Sequence, residues 1–390
     1  MAEAFIVAAA RTAGGKRNGR VSGWHPADLA AVILDDLVAR AACDPALVED
    51  VIMGCVIQAG EQSQNIARGA VLASHLPQHI PGVSVDRQCG SSQQALHFAA
   101  ATVMSGVMDC VIAAGVESMT RAPMGLSSEV LAKNGYGRAK SPRQEARYPD
   151  IVFSQFTGAE MMAEKHGFSK DEIDEFAFQS QQKAAAATKA GRFENEITPI
   201  EVTAPDGTRD RHTVDEGIRF DATLEGVKGV RLIREGGRIT AATASQICDG
   251  ASGVMVVNER GLKALGVEPL ARIHAMAMTA GDPVIMLEEP LFATDKALKR
   301  AGMRIDEIDL YEVNEAFAPV PMAWAKHTGA DPSRLNVHGG AIALGHPLGA
   351  SGTKLMATLV HALKTHDKRY GLQTMCEGGG MANVTIVERL

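Results

Sequence analysis

Two rhythms of apolar and polar residues alternate along the chain. AFIVAAARTAGG (Ala4 to Gly15), DCVIAAGVES (Asp109 to Ser118) and LQTMCEGGG (Leu372 to Gly380) are short apolar runs closed by small or polar residues, the pattern of strands covered on both faces. ADLAAVILDDLVARA and KLMATLVHALKTH carry apolar residues at helical spacing. Strand and helix in turn predict an α/β fold with helices on both sides of its sheets. The pattern also repeats. AFIVAAARTAGG and ARIHAMAMTAGD agree at seven of twelve positions at an offset of 267, and VEDVIMGCVIQ has its counterpart in IDEIDLYEVNEAF. Asp50 to Gly115 spans 65 residues and Asp309 to Cys376 spans 67, each interval holding a small-residue helix followed by a strand.

Between the halves, Met119 to Ser245 breaks the repeat with polar loops and one strong helix, KDEIDEFAFQSQQKAAAATKAG, acidic in its first turn and glycine-ended. GASGVMVVNERG then reads as the last strand of the first half. The expected organisation is a discontinuous first half (1–118 plus 246–268), an inserted loop domain (119–245) and a second half (269–390).

Composition narrows the function classes. A chain of 390 residues with 46% hydrophobic residues can bury more than one core. Its net charge of -7 argues against a nucleic-acid partner, which calls for a basic face. Six cysteines without a CxxC pair suggest free thiols in a reducing compartment. No apolar segment has spanning length, and Phe5 to Ala10 is short for a signal-peptide core, so the expectation is a cytoplasmic protein without membrane contact or resident metal.

Four stretches could carry chemistry. In VDRQCGSSQQALHFAAA, Cys89 stands just before a predicted helix whose unpaired N–H groups favour an anion, so a depressed thiol pKa is expected. A buried packing thiol is the alternative, and it suits Cys43, Cys55, Cys110 and Cys248 better. In NVHGGAIALGHPLGASG, glycines and Pro347 fold the backbone tightly around His346 before a helix beginning near Ser351; a connecting loop would do the same. TMCEGGG sets Cys376 at a strand end, with glycine N–H groups able to line an oxyanion site. VNEAFA ends a strand at Asn314 and Glu315, where α/β sheets commonly present ligand-facing groups. The repeat puts these strand ends on one side of the molecule.

Taken together and in this order, DRQCGSSQQA, NEAFA, GHPLGASG and TMCEGGG resemble the signature blocks of the thiolase family, over essentially the whole chain. The resemblance implies two βαβαβαββ halves in a five-layered αβαβα core, with a loop domain covering coenzyme A. It implies Cys89 as acyl-accepting nucleophile, His346 as its base, Cys376 as second acid/base, Asn314 as holder of an oxyanion-hole water, and Gly378 as an oxyanion donor beside the Cys89 N–H. Arg219, Ser245 and Phe317 resemble coenzyme A contacts. Coenzyme A and acyl-CoA thioesters are then substrates, no cofactor is tightly held, and a homodimer or homotetramer is expected. The sequence departs from the family at Asp86, usually asparagine, at Ser91-Ser92, usually serine-glycine, and at SQFTGAE (Ser154 to Glu160), where short-chain acetoacetyl-CoA thiolases carry His-Met-Gly. The last departure, with GKRNG near the N-terminus, is similar to degradative thiolases, some of which act on steroid side-chain acyl groups. A decarboxylating condensing enzyme would pair its cysteine with two histidines or His/Asn, which Cys376 opposes. A catalytically silent lipid carrier would not need the four polar groups, and a papain-like hydrolase would not explain the duplication.

Overall fold

The computed structural model describes residues 2–203 and 206–390. Nine strands make the framework: β1 (Phe5–Arg11), β2 (Asp50–Gly54), β3 (Gly82–Val85), β4 (Cys110–Ser118), β5 (Cys248–Val257), β6 (Ala271–Ala280), β7 (Leu310–Val313), β8 (Tyr370–Glu377) and β9 (Met381–Glu388). Their order is β7-β8-β9-β6-β1-β5-β4-β2-β3. The duplication is written in this order. In the first half β2 pairs in parallel with β3 and β4, and β5 lies antiparallel between β4 and β1. In the second half β7 runs parallel to β8, and β9 lies antiparallel between β8 and β6. The place of β3 is taken there by Leu335, bridged in parallel to Tyr311. A short antiparallel contact, Phe5 with Arg272 and Ile6 with Ala271, joins the halves at β1 and β6.

Helices fill three layers. On the outer face of the first half lie α1 (Pro26–Arg40) and α2 (Ile66–Ala73). The middle layer, α3 (Ser91–Ser105) and a later helix over Ser351–Thr365, packs between the two halves. Ala95, Leu96, Ala99 and Val103 meet Met356, Leu359, Val360 and Leu363 there, against Ile6, Val111 and Val254. Small residues at these positions let the two helices and both sheet faces approach closely, which accounts for the alanine-rich pattern. On the far face, Leu291 and Ala297 from Glu289–Ala301 cover Ala277, Val384 and Ile386. The resulting order is helix, sheet, helix, sheet, helix, as the sequence predicts.

Between β4 and β5 the chain builds the helices α4 (Gln155–Lys165) and α5 (Lys170–Lys189) and a small hairpin, Ile200–Thr203 with Arg209–His212. The expected acidic helix is α5. Its Ser169 side chain accepts from the Glu172 N–H while Glu172 accepts from the Ser169 N–H, a reciprocal cap that fixes its start. Charge ties this region to the core: fully buried Arg11 on β1 donates to Glu196 at 2.5 Å and to Asp215 at 2.8 Å.

Candidate active site

The ends of β3, β7 and β8, and the loops that follow them, converge beside the middle helices. After β3 the chain turns sharply, with Gln88 in a left-handed conformation at φ 49, and enters α3 through Gly90. The turn is laced locally: the Arg87 N–H donates to Ser91 Oγ at 2.9 Å, and Ser91 Oγ donates to the Gln88 carbonyl at 2.6 Å. Asp86 accepts from the Gln88 N–H at 2.7 Å. Ser92 sits where an added Cβ on Gly54 or Gly115 would collide with it, and its hydroxyl accepts from the Thr353 N–H at 3.0 Å. The two departures from the family pattern are thus built into the helix entry. Cys89 is held at the tip of this turn, half-buried, where its own backbone N–H and that of Gly378 favour the thiolate.

The expectation of a depressed thiol pKa is corrected. Burial, and next the negative field of Glu377, push Cys89 up to about 12 against the opposing pull of those two N–H groups. The helix end is present, but desolvation outweighs it. Cys376, fully buried and within the field of Cys89, is pushed up for the same reason. Both groups rest as neutral thiols.

His346 lies on the turn before the Ser351–Thr365 helix, buried, with its Nδ1 2.5 Å from Ser351 Oγ and its Nε2 3.4 Å from Asn314 Nδ2. Ser351 Oγ donates its proton to the Pro347 carbonyl at 2.8 Å. The hydroxyl must therefore accept from His346 Nδ1, which leaves a lone pair on Nε2, the nitrogen facing Asn314. Burial and Lys354 lower the His346 pKa to about 3, so the ring is neutral. Asn314 is buried and its Oδ1 has no partner among the described residues. Asn314 and His346 form one polar pair, and Cys89 and Cys376 form another.

Residues that the sequence reading passed over hold this arrangement. Glu117 at the end of β4 accepts from the N–H groups of Val56 (2.9 Å), Ile57 (3.1 Å) and Gly349 (2.8 Å), pinning the histidine loop to the first half. Lys354 donates to the carbonyls of Leu344 at 2.5 Å and Gly345 at 3.2 Å, just before His346. Both are buried charged residues, a rarity that only the folded structure reveals. His338, in the same glycine-rich stretch, is buried with its Nε2 3.1 Å from that of His366.

Three cavities surround these groups. One of about 590 Å³ is lined by Cys89, Cys376 and Gly378 on one side and by Met124, Tyr148, Phe153 and Met286 on the other. A second of about 570 Å³ holds His346, Ser245, Phe317 and Phe156, and the two share Met124, Gln155 and Leu348. Phe317 meets Phe156 edge to face at 5.5 Å, so the SQF segment forms part of this wall. A third of about 220 Å³ is bordered by Arg219, Gln181, Thr223 and Gln246. Arg219 is exposed and has no ion pair among the described residues, whereas other basic groups of its segment are engaged, Lys228 with Asp171 at 2.9 Å and Arg209 with Glu201 at 3.9 Å.

The arrangement can carry a nucleophile, a base, a second acid/base and donors for oxyanions, next to apolar space. Comparison with known proteins agrees. Residues 4–260 match the family model for the thiolase N-terminal domain, and residues 267–389 that for the thiolase C-terminal domain. A steroid 3-ketoacyl-CoA thiolase of Mycobacterium tuberculosis is 49% identical, the alignment covering 100% of this chain and 95% of the relative. A 3-ketoacyl-CoA thiolase of Vibrio vulnificus is 40% identical, with 100% of both chains covered. The crystal structure of human mitochondrial 3-ketoacyl-CoA thiolase superposes with a TM-score of 0.91 at 33% identity, over 100% of this chain and 99% of that one. With duplicated topology, four motifs and both family domains in agreement, the chain belongs to the thiolase family.

Proposed function

We propose that the protein cleaves 3-oxoacyl-CoA with coenzyme A to give acetyl-CoA and an acyl-CoA two carbons shorter, and runs the reverse condensation at the same site. The observation that carries this reading is the pairing of two thiols and Gly378 on one cavity that adjoins the cavity holding His346. Breaking the C2–C3 bond requires one group to attack the ketone carbon and another to protonate the carbanion that leaves. Cys89 adds to C3 as its proton passes to the free lone pair of His346 Nε2. Collapse of the alkoxide expels the acetyl-CoA enolate, which takes the proton of Cys376, and the acyl group remains as a thioester on Cys89. Coenzyme A then transfers its thiol proton to the Cys376 thiolate, attacks the thioester and releases the shortened acyl-CoA with ping-pong kinetics. The proton on His346 returns to Cys89 as it leaves. The Cys89 and Gly378 N–H groups serve the thioester oxygen, and the protonated His346 Nε2 and a water held by Asn314 serve the enolate oxygen.

Arg219 and Ser245, in an inserted domain taken as 119–245 between halves 1–118 plus 246–268 and 269–390, and Phe317 of the second half border the route assigned to coenzyme A. Methionine and aromatic side chains line the cavity on the Cys89 side, whose volume falls in the range that holds sizeable organic ligands. This supports acyl groups longer than four carbons, including bulky steroid-derived ones of the kind named for the mycobacterial relative. A cytoplasmic homodimer or homotetramer without a tightly bound cofactor is the accompanying expectation. The test is a thiolysis series over 3-oxoacyl-CoA chain lengths, followed at the 3-oxoacyl absorbance. Turnover should persist past acetoacetyl-CoA; confinement to acetoacetyl-CoA would reject the acyl-cavity assignment, and no turnover at any length would reject the reaction.

A further inference from the structure

Glu377 follows Cys376, and strand alternation turns its side chain to the opposite face of β8. It ends against Gly90, the residue between Cys89 and α3: a Cβ built on Gly90 would lie 1.9 Å from Glu377 Oε1 and 2.5 Å from its Cδ. Only glycine leaves room for the carboxyl there. The side chain is fully buried, and neither oxygen has a hydrogen-bond partner among the described residues. A carboxylate left in such a place lacks the water and donors that stabilise its charge, so the group is held as the acid.

We propose that Glu377 is a positioning residue for the two active-site thiols: as a neutral acid it fills the space over Gly90 and leaves negative charge at Cys89 and Cys376 unopposed, and as a carboxylate it resists that charge. Both thiols lie within its field. Burial pushes the acid up to about 8, while the positive charge of Arg87 on the turn pulls it the other way. Glu117 adds a second, weaker negative field at Cys89, and the Cys89 and Gly378 N–H groups favour a thiolate there. The sign follows. Below the acid's pKa Glu377 is uncharged and the thiols ionise on their own terms; above it, the new charge raises both thiol pKa values when rising pH would otherwise deprotonate them.

The catalytic consequence rests on the thiolase reaction proposed above, but the coupling is readable without turnover. The rate of Cys89 alkylation by iodoacetamide, located by peptide mass, is measured from about pH 6 to about pH 10 in wild type, Glu377→Gln and Glu377→Met. One pKa unit of coupling corresponds to about a tenfold difference in thiolate, so wild type and Glu377→Gln should react alike near pH 6.5 and diverge by about tenfold near pH 9, wild type being slower. Glu377→Met should follow Glu377→Gln, and the alkaline fall in wild-type thiolysis should weaken in both. Difference infrared spectra of wild type should show a protonated-carboxyl band near pH 7 that fades by about pH 9 and is missing from Glu377→Gln. Parallel alkylation profiles, or a protonated-carboxyl band near pH 7 that is the same in wild type and Glu377→Gln, overturn the proposal, and Glu377→Met supplies both comparisons if Glu377→Gln fails to fold. Coupled alkylation without thiolysis of any 3-oxoacyl-CoA would instead reject the reaction and leave this inference standing.

Discussion

The two halves meet at Gly115, and this contact yields a test of how closely catalysis depends on their register. Gly115 lies inside β4 with a strand conformation open to alanine, so the substitution adds volume without backbone strain. Its Cβ would fall 2.3 Å from the Gly349 carbonyl oxygen, 2.7 Å from Ala350 Cα and 2.7 Å from Ser92 Cβ. Backbone atoms and a short serine cannot swing aside. An ordinary contact needs about 3.5 Å, so the histidine loop must retreat from the nucleophile helix by about 1 Å. Overpacking of this size typically costs about 1–3 kcal/mol, which a domain with a large core survives. Misplacing reacting groups by about 1 Å can cost about 10²-fold in rate. Gly115→Ala should therefore melt as a folded protein a few degrees below wild type, while thiolysis falls about a hundredfold and the Michaelis constant for coenzyme A hardly moves. A folded Gly115→Ala variant with wild-type turnover would refute the claim that the loop is held to sub-ångström register by this glycine.

Three further outcomes follow from the site. Wild-type protein mixed with acetyl-CoA should gain one acetyl mass and Cys89→Ala none; Cys376→Ala should still be acetylated but lose about 10²–10⁴-fold in thiolysis and in exchange of acetyl-CoA methyl protons with deuterated solvent. Exchange at the wild-type rate in folded Cys376→Ala would transfer that proton to another group. Arg219→Ala removes a cation without an ion-pair partner among the described residues and should raise the Michaelis constant for coenzyme A about tenfold, more so at low salt, leaving acetylation of Cys89 near normal; an unchanged constant would remove Arg219 from the binding route. Lys354→Met strips the Leu344 and Gly345 carbonyls of their buried donor and should cost about 1–3 kcal/mol in chemical denaturation, with a loss of turnover because His346 follows directly; wild-type stability would show that water replaces the ammonium.

The architecture was legible because duplication and periodicity are local facts. An offset of 267 fixed which strands correspond, and apolar runs such as FIVAAAR could only be strands covered on both faces. The candidate site motifs were legible together, through their resemblance to the thiolase blocks; singly, a glycine-rich turn fits a connecting loop equally well. What could not be read were the supports. Glu117 reaches Gly349 across 232 residues of sequence, and Arg11 reaches Asp215 across 204. In the linear chain each looks like an ordinary surface charge, and only burial and long-range donors distinguish it. The cavity facing Cys89 was hidden likewise, because Met124, Phe153 and Met286 come from segments with no common pattern.

The same gap explains why the helix end at Cys89 misled the estimate of its acidity. A helix N-terminus favours a nearby anion by about 0.3–1 kcal/mol, and by at most about 2 in partly buried positions. Raising a thiol from 9.0 to about 12 corresponds to about 4 kcal/mol against the thiolate. Desolvation, the largest cause of the shift, outweighs the dipole. The His346 pKa moves the opposite way, down to about 3, so a resting thiolate–imidazolium pair is disfavoured from both ends. In the proposed reaction, attack then joins deprotonation to bond formation: the proton leaves Cys89 as the sulfur meets the carbonyl, whose developing charge the Cys89 and Gly378 N–H groups are proposed to receive. A site built this way keeps its nucleophile quiet until an acyl group arrives. Its measurable signature is a Cys89 that acetyl-CoA modifies readily near neutral pH while a simple alkylating agent, which offers the N–H groups no oxyanion, reacts far more slowly.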